Sequence, residues 1–509
     1  MPVPMRRQQF LPVILIIVTL VREDLSCSAE THTGKNGSTA NPACAPETAA
    51  TDSGCGEVDE SGWSCGLYTC PEKFFSVVAG DEPLLKPLKN QTTGDLTWNA
   101  GGELRYRYMN EKNRLRAGGP GHSAYDLWRL TPFVEMTYSD LLGGYVQAID
   151  ASMTGLDAPY STTPGDVNRT DLLQYYAELR IPVADGQLRY RYGRQFLQYG
   201  AQRVLSPLGW SNTFRNFEGH KVVYTHEDLS IDGFVMQSLN GTAGNTPHPQ
   251  SFDIADSSRW ISGLYSTWKG LENNDLDLYF LHFEEKQPGT AAMDGRRNTL
   301  GTRLAGKQTV KPTILPAGTW NWDVEGAWQF GRDNFGTSAM REVQAGMVGA
   351  LGGYTFDELP WQPSPGAIFY YGSGDRDPAS GQINTYTSLY PLGHAYWGQI
   401  DNFSGQNLVD YGLQFSVKPA SRLSIVNQWH WFDLAQTGDR IYNIAGTPLN
   451  GSGDRNVGNE LDVVARYTHS KTLNVELGYL MFFYGDAVGQ GPLARADAEQ
   501  LYLQATYSF

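Results

Sequence analysis

The chain lacks any long apolar run after its first 21 residues, whereas a membrane-crossing helix needs ~20 consecutive apolar residues. A helical membrane protein is therefore excluded. Charge is also sparse, at 18% of residues, and acids outnumber bases to give a net charge of −15. Nucleic-acid binding, which needs a basic face for the phosphates, is excluded on that balance. An anionic cargo is not, because loops and tails contribute to the total while a pore is governed by its own lining. Cysteine is absent after Cys70. The five present are Cys27, Cys44, Cys55, Cys65 and Cys70, and their confinement to one early zone fits an oxidising compartment. Four of them could form two disulfides, in any of three pairings. Their spacing is irregular for zinc, with no histidine nearby. The chain also has no P-loop, no H-E-x-x-H and no G-x-S-x-G. Ser206, His220 and Asp232 form a catalytic triple only on paper. No cofactor, no metal and no enzyme activity are expected.

What the chain has is aromatics and glycine: Tyr 28, Trp 13, Phe 21 and Gly 56, at a mean hydropathy of −0.39. This combination fits strands that alternate lipid-facing and water-facing residues. Arg6 and Arg7 precede an apolar run from Phe10 to Val21, which has the length of an export signal's core. Cys27-Ser28-Ala29 supplies small residues for cleavage, giving a signal peptide over 1–29, with a poor lipoprotein site at Leu25-Ser26-Cys27 as the alternative. Residues 30–95 read as a flexible, cysteine-bearing extension, rich in Ser, Thr, Gly, Ala and Pro at first. Cys65 to Leu88 within it is either a small stapled plug or a tether.

From Leu96 the dominant period is two. Leu104, Tyr106 and Tyr108 alternate with Glu103, Arg105 and Arg107. Trp320, Trp322, Val324, Gly326, Trp328 and Phe330 alternate with polar residues, as do Leu473, Val475, Leu477, Tyr479 and Met481. These segments are near the ten residues that a tilted strand needs to cross a membrane. Polar stretches at Gly155–Thr170, Gly241–Ser258, Pro288–Gly318 and Ser373–Thr385 read as outer loops. Tyr370-Tyr371, Trp429, Trp431 and Phe482-Phe483-Tyr484 are expected to form interfacial girdles. The fold expected is all-β: a transmembrane antiparallel barrel over 96–509 with about 18 strands, allowing ~23 residues per strand and connection. Its last residue, Phe509, ends an alternating strand. It resembles the signal read by the outer-membrane barrel assembly machinery, which is the expected partner along with outer-membrane lipid.

Alternation assigns Arg105, Arg107, Arg129, Arg189 and Arg191 to the lumen, since a charge on the lipid face at mid-membrane costs ~2–4 kcal/mol. Arg194 is out of phase with Arg191 and lies past the strand end or beyond a bulge. Glu103, Glu135, Glu178, Glu460 and Asp462, with Asp323, Glu325 and Glu476, are available as bracing partners. The set of arginines is expected to form a basic constriction, with the acids preventing an anionic polymer from sticking.

Three groups of strings resemble the alginate export porin family. The first is Tyr192-Gly193-Arg194-Gln195, Tyr199-Gly200-Ala201-Gln202-Arg203, Trp210-Ser211-Asn212 and Arg215-Asn216-Phe217-Glu218-Gly219. The second runs from Gly372-Ser373-Gly374-Asp375-Arg376-Asp377 through Leu389-Tyr390-Pro391, His394-Ala395-Tyr396, Gly398, Asp401 and Asn407. The third is Gly458-Asn459-Glu460-Leu461-Asp462, followed by Leu477-Gly478-Tyr479 and Tyr484-Gly485-Asp486. The resemblance implies a monomeric 18-stranded barrel whose basic lumen passes an anionic polysaccharide, with Arg203 and Arg215 reaching into the pore mouth. The function expected is an outer-membrane porin for an anionic polysaccharide or oligosaccharide, alginate-like. A general diffusion porin for small solutes is the alternative, and a barrel enzyme a more distant one; small anionic solutes are expected partners beside the polysaccharide.

Overall fold

The computed structural model describes residues 81–116, 118–157, 160–240, 252–286, 294–334 and 339–509. The expected signal peptide, all five cysteines and the expected extension up to Gly80 lie outside the described residues. Eighteen antiparallel strands close into one barrel. In chain order they are β1 (Leu96–Gly101 and Glu103–Lys112), β2 (His122–Leu130 and Phe133–Tyr138), β3 (Leu142–Thr154), β4 (Asn168–Val183), β5 (Gly186–Gln195) and β6 (Phe217–His226). Next come β7 (Leu229–Asn240), β8 (Ile254–Leu271), β9 (Asn274–Lys286), β10 (Asp294–Val310), β11 (Gly318–Asp333) and β12 (Arg341–Thr355). The last six are β13 (Ser364–Gly372), β14 (Leu408–Ala420), β15 (Leu423–Leu434), β16 (Asn456–Thr468), β17 (Leu473–Tyr484) and β18 (Ala498–Ser508). Each pairs with its sequence neighbour, and β18 closes on β1 from Glu499↔Lys112 to Ser508↔Glu103. Closure leaves no open edge for lipid to satisfy. Gln91–Thr93 pairs with β1 below the end of β18, so the part of the extension nearest the barrel is a short hairpin. The only α-helix among the described residues is the single turn Asp486–Gly489.

The outer surface explains the pattern of apolar residues. Leu264, Leu413 and Trp328 are 59%, 58% and 52% exposed, and Trp128, Tyr192, Leu278, Val324 and Trp429 join them. An apolar belt of this extent in water would be a sticky patch, whereas lipid requires it. Some expectations need correction. Pro288–Gly318 is not one loop, because β10 occupies most of it; its outward face carries Leu300 and Leu304 among Arg296, Asn298, Thr302 and Gly306, which hid the alternation. The stretches at 155–170 and 241–258 are shorter than expected, since β4 begins at Asn168 and β8 at Ile254. In the girdles, Tyr371, Trp429, Trp431 and Phe483 face out, but Tyr370 and Phe482 are buried inside.

Candidate pore and its lining

Short turns such as 184–185, 227–228 and 272–273 close one end of the barrel, and longer loops close the other. Two of these longer loops fold inward. Residues 196–216, between β5 and β6, meet residues 373–407, between β13 and β14, inside the barrel. Ser206 N–H donates to Tyr390 O, Tyr390 N–H to Val204 O and Leu392 N–H to Gln202 O. Leu197, Leu205, Tyr386, Trp397, Ile400 and Phe403 are buried where the loops pack. The expectation of a solvated outer loop at Ser373–Thr385 is corrected at its two ends: Asp375 is buried and accepts from Asp377 N–H, and Ile383 and Thr385 are buried, while Arg376, Asp377, Pro378 and Ala379 are exposed.

Buried loop backbone needs hydrogen-bond partners, and wall arginines supply them. Arg105 donates to Gly209 O at 3.1 Å and Ser211 O at 2.6 Å. Arg107 donates to Trp210 O at 2.8 Å, and its guanidinium lies 3.6 Å from the Trp210 ring centroid. Arg129 donates to Gly209 O and Ser211 O and pairs with Glu103 at 2.6 Å. From the loop side, Arg203 reaches the opposite wall and meets Asp323 at 2.6 Å and Glu325 at 3.1 Å. Arg215 donates to the carbonyls of Ser206 and Pro391. Burial pushes the Arg215 guanidinium down to about 10, against a smaller upward pull from Tyr390, so it stays charged at neutral pH.

Glu460 and Asp462 meet no arginine among the described residues. They accept backbone N–H groups from the second loop, Ile400 to Glu460 at 2.7 Å and Gln399 to Asp462 at 3.2 Å. This approach requires glycine at 398, where φ is +79° and a Cβ would lie 2.3 Å from Glu460 Oε2. Beside them His430 and Asp410 pair at 2.8 Å. Arg194 follows Gly193, whose φ of +132° breaks the alternation. Its guanidinium donates to Leu172 O and Asp253 O near the long-loop rim.

The short-turn half is lined differently. Glu178 pairs with Arg180 at 2.7 Å and Arg191 at 2.6 Å. Arg191 lies 3.9 Å from the Tyr176 ring centroid, and Tyr176, Tyr145 and Phe133 stack across β4, β3 and β2 at 5.3 and 5.6 Å. Lys221 pairs with Asp232 at 2.7 Å. Arg189 is half-buried and Glu135 exposed, and neither has an ion pair among the described residues. Arg180 and Lys221 were missed from sequence, although Arg180 shares the face of Glu178 two residues away.

A closed barrel with a lipid-like belt, inward loops and a charged lumen can conduct and select solutes. The sequence pattern of the alginate export family matches residues 97–500. The chain belongs to the alginate export family. None of the curated proteins matches it. Its fold is that of solved porins from Pseudomonas aeruginosa. The outer membrane protein OprD is 14% identical at a TM-score of 0.52, covering 81% of this chain and 93% of its own. OpdL is 12% identical at 0.52, covering 81% and 98%. OpdK, solved with vanillate, is 15% identical at 0.51, covering 81% and 98%. This alginate export family member is thus an outer-membrane porin in fold, and family and fold are those of a channel.

Proposed function

We propose that the protein is a passive outer-membrane channel for an anionic polysaccharide or oligosaccharide of the alginate type. The observation that carries this reading is the sidedness of the lumen. Arg105, Arg107, Arg129, Arg180, Arg189, Arg191 and Lys221 lie on the inner face of β1–β6. Glu103 and Glu178 sit among these cations, and on β9–β16 the balance reverses, with Asp277, Asp323, Glu325, Asp410, Glu460 and Asp462 outnumbering the inward Arg297 and Arg303. A basic wall attracts a polyanion and a facing acidic wall keeps it from sticking, which is what conduction requires. Family membership supports the polymer. The two inward loops favour a second reading, passage of small anionic solutes, because they occupy the long-loop half of the lumen.

On this reading 1–29 is a signal peptide, 30–95 an extension and 96–509 a monomeric barrel recognised through Phe509 during assembly. The short turns face the periplasm and the long loops face outward. The test is planar-bilayer conductance of the purified protein with ion selectivity and polyuronate block measured. Anion preference with block supports polysaccharide passage. Anion preference without block leaves the small-solute reading, and a pore with neither refutes both.

A further inference from the structure

We propose that a groove on the outer, lipid-facing wall, at the short-turn edge of β7–β9, binds a single phospholipid whose headgroup carries a primary ammonium, of the ethanolamine type. The inference goes beyond the channel reading and is independent of what the channel passes. It takes from that reading only the orientation, which puts the groove in the periplasmic leaflet.

The groove comes from one small residue. Outward positions on these strands carry Leu229 and Ile231 on β7, Leu264 and Trp268 on β8, and Leu276 and Leu278 on β9. Ser266 lies between Leu264 and Trp268, and its register partners are Ile231 and Leu278. A serine among these large side chains leaves a hollow. The hollow measures about 430 Å3 and is bounded on its apolar side by Leu229, Trp268, Leu276 and Leu278. That is within the ~300–1,000 Å3 of small-ligand sites. The Ser266 hydroxyl donates to Leu278 O at 3.1 Å, so the floor presents no unmet donor. A water needs two or more polar partners, which this floor does not provide. An acyl chain fills the hollow and continues the belt, restoring the dispersion contacts that a void forfeits.

The rim supplies the headgroup contacts. The Trp268 indole leans toward the short turns: a Cβ on Gly270 would lie 2.3 Å from its Nε1. Its ring is exposed, and the N–H has no hydrogen bond among the described residues. An indole so placed is an interface group, with an apolar body and one donor for a phosphate or ester oxygen. Glu227 and Asp228 form the turn between β6 and β7 and line the same groove. Both are exposed, and neither has an ion pair among the described residues. Lys269, also exposed, lies beside them, its backbone N–H donating to Asp228 O at 2.9 Å. The edge of the groove thus presents two carboxylates, one ammonium and one indole donor. The carboxylates suit a primary ammonium, which has three N–H donors, and Lys269 and Trp268 suit the phosphate beside it. A glycerol headgroup brings no cation to Glu227 and Asp228, and a choline headgroup brings one without N–H donors.

The test is native mass spectrometry of the full-length protein released from detergent micelles. Phosphatidylethanolamine, phosphatidylcholine and phosphatidylglycerol of matched chains are supplied at equal concentration. One phosphatidylethanolamine is expected to stay bound per barrel, in preference to the other two lipids. Ser266→Phe, which fills the groove from a lipid-facing position, is expected to abolish that adduct. Glu227→Gln with Asp228→Asn is expected to reduce the preference about fivefold, the worth of an exposed ion pair, and decides the matter if Ser266→Phe does not fold. Equal retention of all three lipids by the native protein overturns headgroup recognition. Equal retention of the choline and ethanolamine lipids overturns the hydrogen-bonded ammonium. A preference that survives both sets of changes overturns the groove as its place. Each of these failures leaves the channel reading standing, because that reading is decided by conductance.

Discussion

Replacing Arg203 with methionine should release the first inward loop from the wall without unfolding the barrel. Arg203 is buried, meets Asp323 and Glu325 through one nitrogen, and lies 4.4 Å from the Tyr396 ring centroid. Breaking a buried ion pair by removing one partner costs ~3–5 kcal/mol, chiefly because a charge is left uncompensated. Here both acids keep a donor. Asp323 retains Arg303 at 2.6 Å, and Glu325 retains the Tyr279 hydroxyl at 2.9 Å. The loss is therefore reduced to about 2 kcal/mol, to which the cation–aromatic contact adds about 1 kcal/mol. A total of about 3 kcal/mol is a factor of roughly 150 in the balance between docked and released loop. The assay is amide hydrogen exchange in detergent. Ser206 and Leu392, whose N–H groups join the two loops, should exchange up to that factor faster, while β11 and β12 amides stay protected. Single-channel current should become larger or noisier. Unchanged exchange at Ser206 and Leu392 in a folded variant would refute the idea that this contact holds the loop.

Leu264→Arg puts a charge on the lipid face and should lower stability by about 2–4 kcal/mol, read by urea unfolding in vesicles. Gly193→Ala forces a side chain onto a residue at φ +132° with a Cβ 2.2 Å from Tyr175 O. A loss of roughly 1–3 kcal/mol is expected, with a lower melting temperature as the readout. Glu460→Gln keeps an acceptor for Ile400 N–H while removing a buried charge beside Asp462, so its melting temperature should hold or rise, whereas Glu460→Leu leaves that N–H unpaired and should cost about 1–3 kcal/mol. Phe509→Ser should reduce the fraction of chain that migrates as folded, heat-modifiable barrel in cells, and unchanged folding would show that the terminal aromatic is not an assembly signal.

The barrel wall was legible because lipid outside and water inside impose opposite demands on alternate residues. Trp320, Val324 and Trp328 face out for that reason, and Arg105 and Arg107 face in. Legibility failed where the demand is weak. In β10 the outward Leu300 and Leu304 stand among Asn298, Thr302 and Gly306, too few to announce a face, and Arg296, Arg297, Arg303 and Lys307 give the strand the look of a loop. Period two is also silent about the direction a connection takes. The inward course of residues 373–407 depends on side chains that solvent would not favour, and Tyr386, Trp397 and Phe403 in a nominal outer loop were the available signal. Pairing was the hardest part to read. Each inward arginine has a carbonyl, a carboxylate or no partner according to which loop lies over it, and that is fixed by tertiary contact alone.

The strings that resemble the alginate export family fall mainly on these loops and their anchors. Tyr199–Arg203, Trp210–Asn212 and Arg215 belong to the first loop, Leu389–Pro391, His394, Gly398 and Asp401 to the second, and Glu460 and Asp462 to the wall strand that accepts the second loop. Trp210 joins the pieces: Arg107 lies on its ring, His394 stacks on it at 3.6 Å, and its indole N–H donates to Asp401 at 2.9 Å. Residues so engaged shape the passage but have little freedom to bind a moving solute, because their guanidinium and indole groups are already held by loop carbonyls, carboxylates and rings. Arg105, Arg107 and Arg129 therefore act as struts, and their charge reaches the solute only as a field at a distance. Arg180, Arg189 and Arg191 remain partly open to the lumen. If the cargo is an anion, as proposed, its contacts would fall to the short-turn half and the dimensions of the passage to the looped half, so substitutions in the two halves should separate affinity from conductance.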